Sequence, residues 1–177
     1  KMVPFYFPKQ AFEHFVSPVT FSQLFGILHP SHIEMEENEF YCMDEDAVYT
    51  KDKKTLVFVL PSVTKFTIPH TVRTIACYAF QNCKQLASIT IPDSVTWIGE
   101  NAFSSDSLTS LTFESTHHIH MDCYPFALSQ LQELYLPGGL GGVTRFASTF
   151  GAKKLVLGEG IVSLDEMFTS GIQELYL

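Results

Sequence analysis

Apolar–x–apolar triplets recur along this chain at nearly regular intervals. Their first residues follow one another in steps of 23, 22, 23, 21 and 20 residues. The six triplets are Phe66-Thr67-Ile68, Ile89-Thr90-Ile91, Leu111-Thr112-Phe113, Leu134-Tyr135-Leu136, Leu155-Val156-Leu157 and Leu175-Tyr176-Leu177. Alternation of this kind predicts a short β-strand whose first and third side chains point inward while the middle one points outward.

The similarity between neighbouring units extends well beyond the triplet. Residues 66–80 and 89–103 share a Thr-Ile-Pro run, a later Val, a later Ile and a final Ala-Phe pair at a shift of 23 residues. A phenylalanine also recurs downstream of the first five triplets, at Phe80, Phe103, Phe126, Phe150 and Phe168. A period of about 20–29 residues with a triplet of this form is typical of leucine-rich repeats.

One such unit is too small to bury its apolar face alone, but stacked units bury it against one another. The sequence therefore predicts a leucine-rich-repeat solenoid, α/β in class and rich in strands. We expect a right-handed superhelix with six parallel strands on one face. Turns or short strands are predicted on the other side, near Val72–Ile75 and Val95–Ile98. The recurring phenylalanines are predicted to stack as a ladder beneath the strands, which would account for the 16 Phe of the chain.

The first complete unit carries a motif that points to a named family. It reads Ile68-Pro69-x-x-Val72-x-x-Ile75-x-x-x-Ala79-Phe80-x-x-Cys83-x-x-Leu86. This motif resembles the BspA-like leucine-rich repeats of bacterial surface proteins and of some protist proteins. The family usually has glycine where this unit has Ala76, and cysteine where the second unit has Asp106. The resemblance is clear over residues 37–113 and degenerate from 114 to 177.

The segment before the first repeat predicts a hairpin. Val48-Tyr49 is followed by a Lys/Asp-rich turn and then by the apolar run Leu56–Val59, which together resemble the hairpin insertion of that family. We therefore expect residues 1–61 to form an N-terminal cap, or degenerate repeat, with a hairpin insertion. Residues 62–177 are expected to form one continuous domain of leucine-rich repeats, cut short at its C-terminal end.

Composition and charge exclude several classes of protein. The formal net charge is −8, and residues 1–61 and 62–177 are both acidic, which disfavours binding to a phosphate backbone. The longest apolar run, Leu56–Leu60, is far short of the roughly 20 residues that span a bilayer. Residues 1–9 have no apolar core of the kind that an intact signal peptide needs. The sequence therefore predicts no nucleic-acid partner and no transmembrane segment.

The middle residues of the triplets form the candidate partner-binding row. In leucine-rich repeats a row of this kind lines a surface that binds partners, and exposed tyrosines are effective contact residues. Alternatively, β-branched and aromatic residues occupy these positions because they favour strands and pair across them. The row consists of Thr67, Thr90, Thr112, Tyr135, Val156 and Tyr176.

Three other segments invite chemical interpretations that the sequence disfavours. His118, His120 and Asp122, within the cluster His117–Cys123, could face a metal ion in an extended chain, but a polar solvent-facing turn fits better. Residues 34–46 carry seven acids without calcium-loop spacing or its glycine, which favours a solvated surface. The glycine-rich run 138–142 follows a predicted strand but lacks a phosphate-loop motif.

The four cysteines, Cys42, Cys77, Cys83 and Cys123, form no CxxC pair and do not signal a zinc site. Cys83 occupies the cysteine position of the BspA-like motif and is interpreted as a small buried hydrophobe. A Cys77–Cys83 disulfide is left open, because sequence does not give its geometry. No catalytic residue and no cofactor are predicted.

The family resemblance implies a function of binding rather than catalysis. We expect a non-enzymatic, adhesin-like interaction module at the cell surface or outside the cell. Its partner would be a protein, of host or extracellular-matrix origin, held by the exposed strand face. The alternatives are a structural spacer or self-associating repeat array and, more remotely, a metal-dependent enzyme at His117–Cys123. The oligomeric state stays open.

Overall fold

The computed structural model describes residues 5–13, 17–28, 30–105, 107–115, 117–122, 131–136, 153–158 and 173–176. Short strands dominate these residues, and the one α-helix among them lies near the N-terminus. In chain order the elements are β1 (Phe5–Phe7), a 3-10 helix (Lys9–Glu13), α1 (Pro18–Leu28), β2 (Ile33–Met35), β3 (Tyr41–Asp44), β4 (Ala47–Thr50), β5 (Thr55–Val59), β6 (Thr74–Ile75), β7 (Ser88–Ile91), β8 (Trp97–Ile98), β9 (Ser110–Phe113), β10 (His120–Met121), β11 (Glu133–Leu136), β12 (Lys154–Leu157) and β13 (Glu174–Tyr176).

The last five triplets form one parallel sheet, here called the repeat sheet, with the order β13-β12-β11-β9-β7. Each strand pairs with the strand of the next repeat, so that Ile89 aligns with Leu111, and Leu111 with Leu134. The alternation of burial follows the predicted pattern, because the first and third triplet residues of β7, β9 and β11 are buried while the middle ones are exposed. The predicted solenoid is confirmed.

The first triplet departs from the prediction of a sixth strand. Phe66, Thr67 and Ile68 are not part of the repeat sheet, although Ile68 is buried and Thr67 is exposed as expected. The chain enters this unit from β5 through a turn closed by the hydrogen bond from Val63 N to Leu60 O. This short connection keeps the alternating burial of the triplet's side chains. Its backbone does not join the hydrogen bonds of the repeat sheet.

A second sheet, here called the hairpin sheet, has the order β10-β8-β6-β5-β4-β3. Its strands β5, β6, β8 and β10 are parallel, one from each turn of the solenoid. Strands β3, β4 and β5 are antiparallel, and the register between β4 and β5 shifts at Val48/Tyr49. The hairpin predicted from Val48–Val59 is therefore confirmed, and so are the short strands predicted near Ile75 and Ile98.

The repeat core lies between the two sheets. Phe80 and Phe103 stack within it, with ring centroids 4.9 Å apart and an interplanar angle of 14°. Phe66 meets Phe80 edge-on at 5.6 Å. Two rungs of the predicted phenylalanine ladder are thus present, while Phe126, Phe150 and Phe168 lie outside the described residues.

Most of the described buried phenylalanines belong to a different cluster, which was not predicted from the sequence. Helix α1 packs on β5, and Phe25 stacks on Phe58 with centroids 4.7 Å apart. Strands β1 and β2 pair in parallel beside this helix. The rings of this cap core are Phe7, Phe12, Phe21, Phe25, Tyr41 and Phe58. The interpretation of the Phe content as a repeat ladder alone is wrong, because packing of the cap accounts for a large part of it.

The cap core and the repeat core share strands β4 and β5. Val48 and Val57 belong to the cap core, whereas Tyr49 and Leu56 belong to the repeat core. Successive side chains of a strand point to opposite faces, so one pair of strands separates the two cores and contributes to both. The division of the chain at residue 61 stays a prediction.

Candidate protein-binding face

The outward residues of the repeat sheet form a row across its strands. Thr90 is paired with Thr112 in β7 and β9. Leu111 is paired with Leu134, which places Tyr135 beside Thr112 in the next strand. Val156 then lies between Tyr135 and Tyr176, in register with both. Five of the six residues predicted for the partner-binding row thus lie side by side on one face.

The exposed part of this row is aromatic at one end. Tyr135 and Tyr176 are 41% and 50% exposed. Val156 between them is half-buried, and the two threonines are exposed. Thr67 is exposed too, but its segment is not a strand of the repeat sheet. The row therefore runs from hydroxyl side chains at β7 to phenol rings at β13.

A second outward row, which was not predicted from the sequence, borders the first. It contains the residue that precedes each triplet, namely Ser88, Ser110, Glu133, Lys154 and Glu174, all in register. Lys154 Nζ lies 3.5 Å from Glu133 Oε1 and 5.4 Å from the centre of the Tyr176 ring. The Tyr176 hydroxyl donates a hydrogen bond of 3.1 Å to Glu174 Oε2. The fixed spacing from each triplet is the signal that could have identified this row.

These two rows give the face the features of a protein-binding surface. Tyrosine offers a large contact area and a hydroxyl group at low entropic cost, which suits it to interfaces. The ion pair of Glu133 with Lys154 is exposed and adds little to stability. Charges of both signs beside the aromatic row favour a partner with complementary charges, because such groups set specificity and register.

The histidine cluster does not assemble a metal site within the described residues. His120 Nε2 lies 3.6 Å from Asp122 Oδ1, so this pair shares one side of the chain as predicted. His118 is exposed, and no group of three His, Cys, Asp or Glu side chains in the described part of the chain is close enough to hold a metal ion. Cys123 lies outside the described residues. The arrangement gives no support to a metal-dependent reaction.

His117 links two repeats instead. Its Nδ1 atom lies 2.8 Å from the Oγ atom of Ser115, and its Nε2 atom lies 3.3 Å from the carbonyl oxygen of Val95 in the preceding repeat. Ser115 is 1% exposed. Because a carbonyl only accepts, Nε2 carries a proton in this arrangement. The imidazole thus has a structural role that a stretch of consecutive histidines did not reveal.

The described cysteines are free thiols, so the Cys77–Cys83 disulfide that the sequence left open is not formed. Cys83 is fully buried, and its thiol faces the carbonyl oxygens of Val59 and Leu60 at 3.7 and 3.9 Å. Burial raises the pKa of this thiol to about 12. The interpretation of Cys83 as a small buried hydrophobe is confirmed.

The acidic segment 34–46 contacts the N-terminal residues and the turn between β4 and β5. Glu36 accepts hydrogen bonds from the Tyr6 hydroxyl and from the backbone N of Lys9, and these two bonds are the main causes that lower its pKa. Asp44 pairs with Lys53 at 2.5 Å.

The glycine-rich run 138–142 lies outside the described residues. Within the described residues, no helix is long and apolar enough to cross a membrane.

Comparison with known families agrees with the repeat geometry. The family model for the BspA type leucine rich repeat region matches residues 54–172 in six copies. This match covers more than half of the chain. The chain belongs to the BspA-type leucine-rich-repeat family. The matched region begins at the end of the hairpin turn, just before β5.

Solved structures with the same fold resemble this leucine-rich-repeat chain. The pneumococcal vaccine antigen PcpA is 24% identical, with a TM-score of 0.65 over 80% of this chain and 36% of its own. A leucine rich cell surface protein from Faecalibacterium prausnitzii is 20% identical, with a TM-score of 0.63 over 81% of this chain and 41% of its own. This chain thus spans about two fifths of the length of each structure. No curated protein matches it significantly.

Proposed function

We propose that this leucine-rich-repeat chain is a non-enzymatic, adhesin-like module that binds another protein through the outward face of the repeat sheet. It acts at the cell surface or outside the cell, and its partner is a host or extracellular-matrix protein. The contact is centred on Tyr135 and Tyr176, with Thr90, Thr112 and Val156 extending it along the sheet.

The in-register row of exposed side chains, with two exposed tyrosines at one end, is the observation that carries this proposal. Leucine-rich-repeat solenoids build extended binding surfaces from such rows, because each repeat adds one position to the same face. The similarity to PcpA, a vaccine antigen, and to the Faecalibacterium cell surface protein supports the proposed location.

Replacing both tyrosines by alanine tests the proposal. We expect Tyr135→Ala/Tyr176→Ala to weaken partner binding by at least about tenfold, since truncated interface hot spots typically cost more than about 1–2 kcal/mol each. Binding of wild type and variant to immobilised matrix proteins is measured by surface plasmon resonance. Circular dichroism verifies that the fold is retained.

An exposed apolar residue outside the repeat sheet provides the matched control. Ile27 on α1 is 76% exposed, and Ile27→Ala is expected to leave partner binding unchanged. Equal affinities of wild type and of the folded double-tyrosine variant for the same partner would contradict the proposed location of the binding face.

A self-associating array is the second candidate function, and one observation favours it. Leu175 occupies an inward position of the outermost described strand, β13, yet it is 46% exposed. The open edge of a strand is a template for pairing with another chain. Light scattering separates the two functions, because a mass that rises with concentration and falls in Leu175→Lys indicates self-association.

A further inference from the structure

A cleft lies where the cap meets the first repeat, away from the row centred on Tyr135 and Tyr176. Its volume is about 320 Å³, and it separates the tip of the β3–β4 hairpin from the segment 65–69. The side chains that matter here are those of Asp44, Glu45, Asp46, Tyr49, Lys65 and Phe66. Thr67, which the sequence placed in the partner-binding row, also borders this cleft.

Tyr49 brings an almost fully buried side chain to the lining of the cleft. The residue is 3% exposed, and its ring packs in the repeat core with Leu56. Tyr49 lines the cleft, and its hydroxyl makes no hydrogen bond within the part of the chain that the structure describes. Burial, and after it the nearby charges of Asp44 and Glu45, raise the pKa of this phenol. A phenol with so little access to water normally has a hydrogen-bond partner, and the lone pairs of the Tyr49 oxygen can accept a hydrogen bond from a ligand in the cleft.

The charges around this phenol favour a cation. Three carboxylates and one ammonium group, that of Lys65, line the cleft. Asp44 is paired with Lys53, whereas Glu45 and Asp46 have no ion pair with the described residues. Glu45 lies at the hairpin turn with a φ angle of 51°, next to the strand that carries Tyr49. The two unpaired carboxylates and the phenol oxygen are all hydrogen-bond acceptors.

We propose that this cleft binds an arginine side chain of a protein partner. A guanidinium group carries five N–H donors in one plane, which allows it to meet acceptors on more than one wall. The carboxylates of Glu45 and Asp46 and the hydroxyl oxygen of Tyr49 accept these hydrogen bonds. The half-buried ring of Phe66 offers a flat apolar wall, of the kind that guanidinium groups stack on.

Lys65 makes the sign of the ligand charge testable. Its ammonium group repels a bound guanidinium and would attract a bound anion, so its removal has opposite effects in the two cases. A metal ion is a poorer occupant, because no three His, Cys, Asp or Glu side chains among the described residues, the three carboxylates of the cleft included, are placed so that they could hold one. The subsite extends the proposed protein-binding function, but its existence does not depend on the repeat sheet.

Titration with a short peptide tests the subsite directly. The probe is the capped pentapeptide Gly-Gly-Arg-Gly-Gly, and the same peptide with citrulline, a neutral analogue of arginine, is its control. Amide shifts of the ¹⁵N-labelled protein are followed by NMR. We expect saturable shifts at residues 44–49 and 65–69, and at least about fivefold weaker binding of the citrulline peptide. Absence of shifts in these two segments, or equal binding of both peptides, would overturn the proposal.

Substitutions of acidic and basic residues in the cleft are expected to change the affinity for the arginine peptide in opposite directions. Glu45→Gln and Asp46→Asn are each expected to weaken binding of the arginine peptide by about two- to fivefold, and Lys65→Gln to strengthen it by a similar factor. Tyr49→Phe is expected to weaken it while keeping the buried ring. Glu37→Gln, an equal charge change outside the cleft, is expected to have no effect. Weaker binding in Lys65→Gln would overturn the proposal.

The same peptide separates this subsite from the proposed binding face. Tyr135→Ala/Tyr176→Ala is expected to bind the arginine peptide like wild type, whatever its effect on a whole protein partner. Loss of peptide binding in that variant would place the peptide on the repeat sheet and overturn the subsite. Retained peptide binding with unchanged partner binding would contradict only the proposed face.

Discussion

At the scale of single residues, Gly99 explains why the family motif has a glycine after its second isoleucine. A Cβ atom at this position would lie 2.5 Å from the backbone N of Cys77 and 2.8 Å from its Sγ atom. Cys77 belongs to the preceding repeat, so the glycine allows two turns of the solenoid to approach closely. Ala76 is tolerated at the equivalent position of the first unit, where the preceding turn is the hairpin strand β5.

Substitution of this glycine should therefore be costly. We expect Gly99→Ala to lower the free energy of unfolding by about 1–3 kcal/mol, because backbone atoms cannot move aside as a flexible side chain can. The measurement is urea denaturation followed by circular dichroism. Ala76→Gly serves as the comparison and should cost only about 0.5–1 kcal/mol. An unchanged midpoint in Gly99→Ala would contradict the close approach of the two turns.

Some residue roles could be predicted from the sequence and others could not. Cys83 and the outward tyrosines follow from their position in the repeat, because a fixed period fixes which face a residue occupies. Tyr78 and Asn101, at equivalent positions, both have positive φ angles, of 61° and 51°. Asparagine tolerates this backbone region but tyrosine does so rarely. The positive φ angle at this position of the repeat therefore could not be predicted from the first unit.

At the scale of elements, the stacked pair of Phe80 and Phe103 holds successive turns together. Both rings are almost fully buried, at 1% and 0% exposure. The stack repeats the 23-residue shift of the sequence in three dimensions. Each ring therefore stabilises its own unit and the interface with the next, which is how a solenoid acquires its stability.

Removing one ring should weaken both the unit that carries it and the interface of that unit with the next. We expect Phe103→Ala to lower the free energy of unfolding by about 3–5 kcal/mol, as is typical when a buried aromatic side chain leaves a cavity. Guanidinium chloride denaturation measures it. A loss of less than about 1 kcal/mol would show that the stack contributes little to the cohesion of the repeats.

Elements outside the periodic region were harder to predict. The hairpin could be predicted from the sequence because two apolar runs flank a charged turn. Helix α1 was missed, although Ser17-Pro18 is a typical helix start and Phe21 and Phe25 are four residues apart. Its phenylalanines were included only in the total Phe content, which was attributed to the repeat ladder. The polar row of the repeat sheet was missed because its residues vary among serine, glutamate and lysine, so that only their fixed spacing from the triplets marks them.

At the scale of the whole molecule, buried phenols and thiols make the free energy of unfolding depend on pH in the alkaline range. Burial raises the pKa of Tyr41 to about 12, from a value near 10 in the unfolded chain. The folded state thus holds the proton more tightly than the unfolded state. The resulting contribution to stability is fully present below pH 10 and is lost as the pH rises through about 12.

The free energy of unfolding is therefore expected to fall between pH 10 and pH 12. Tyr41→Phe should reduce the slope of that fall by up to about 1.4 kcal/mol per pH unit, because it removes one titrating group. Urea denaturation at a series of pH values gives the slope, which is more informative than the absolute stability of the variant. Identical slopes for wild type and variant would contradict a buried neutral phenol.

The sharing of strands β4 and β5 has a consequence for how the molecule melts. Peeling the cap away would expose the apolar face that carries Val57 and Phe58, and losing the repeats would expose the face that carries Tyr49 and Leu56. Neither half can therefore keep its core intact after the other has opened. The cap and the first repeat should therefore unfold together in one cooperative transition. A truncation within the hairpin would leave an exposed apolar surface that promotes aggregation, rather than a shorter stable solenoid.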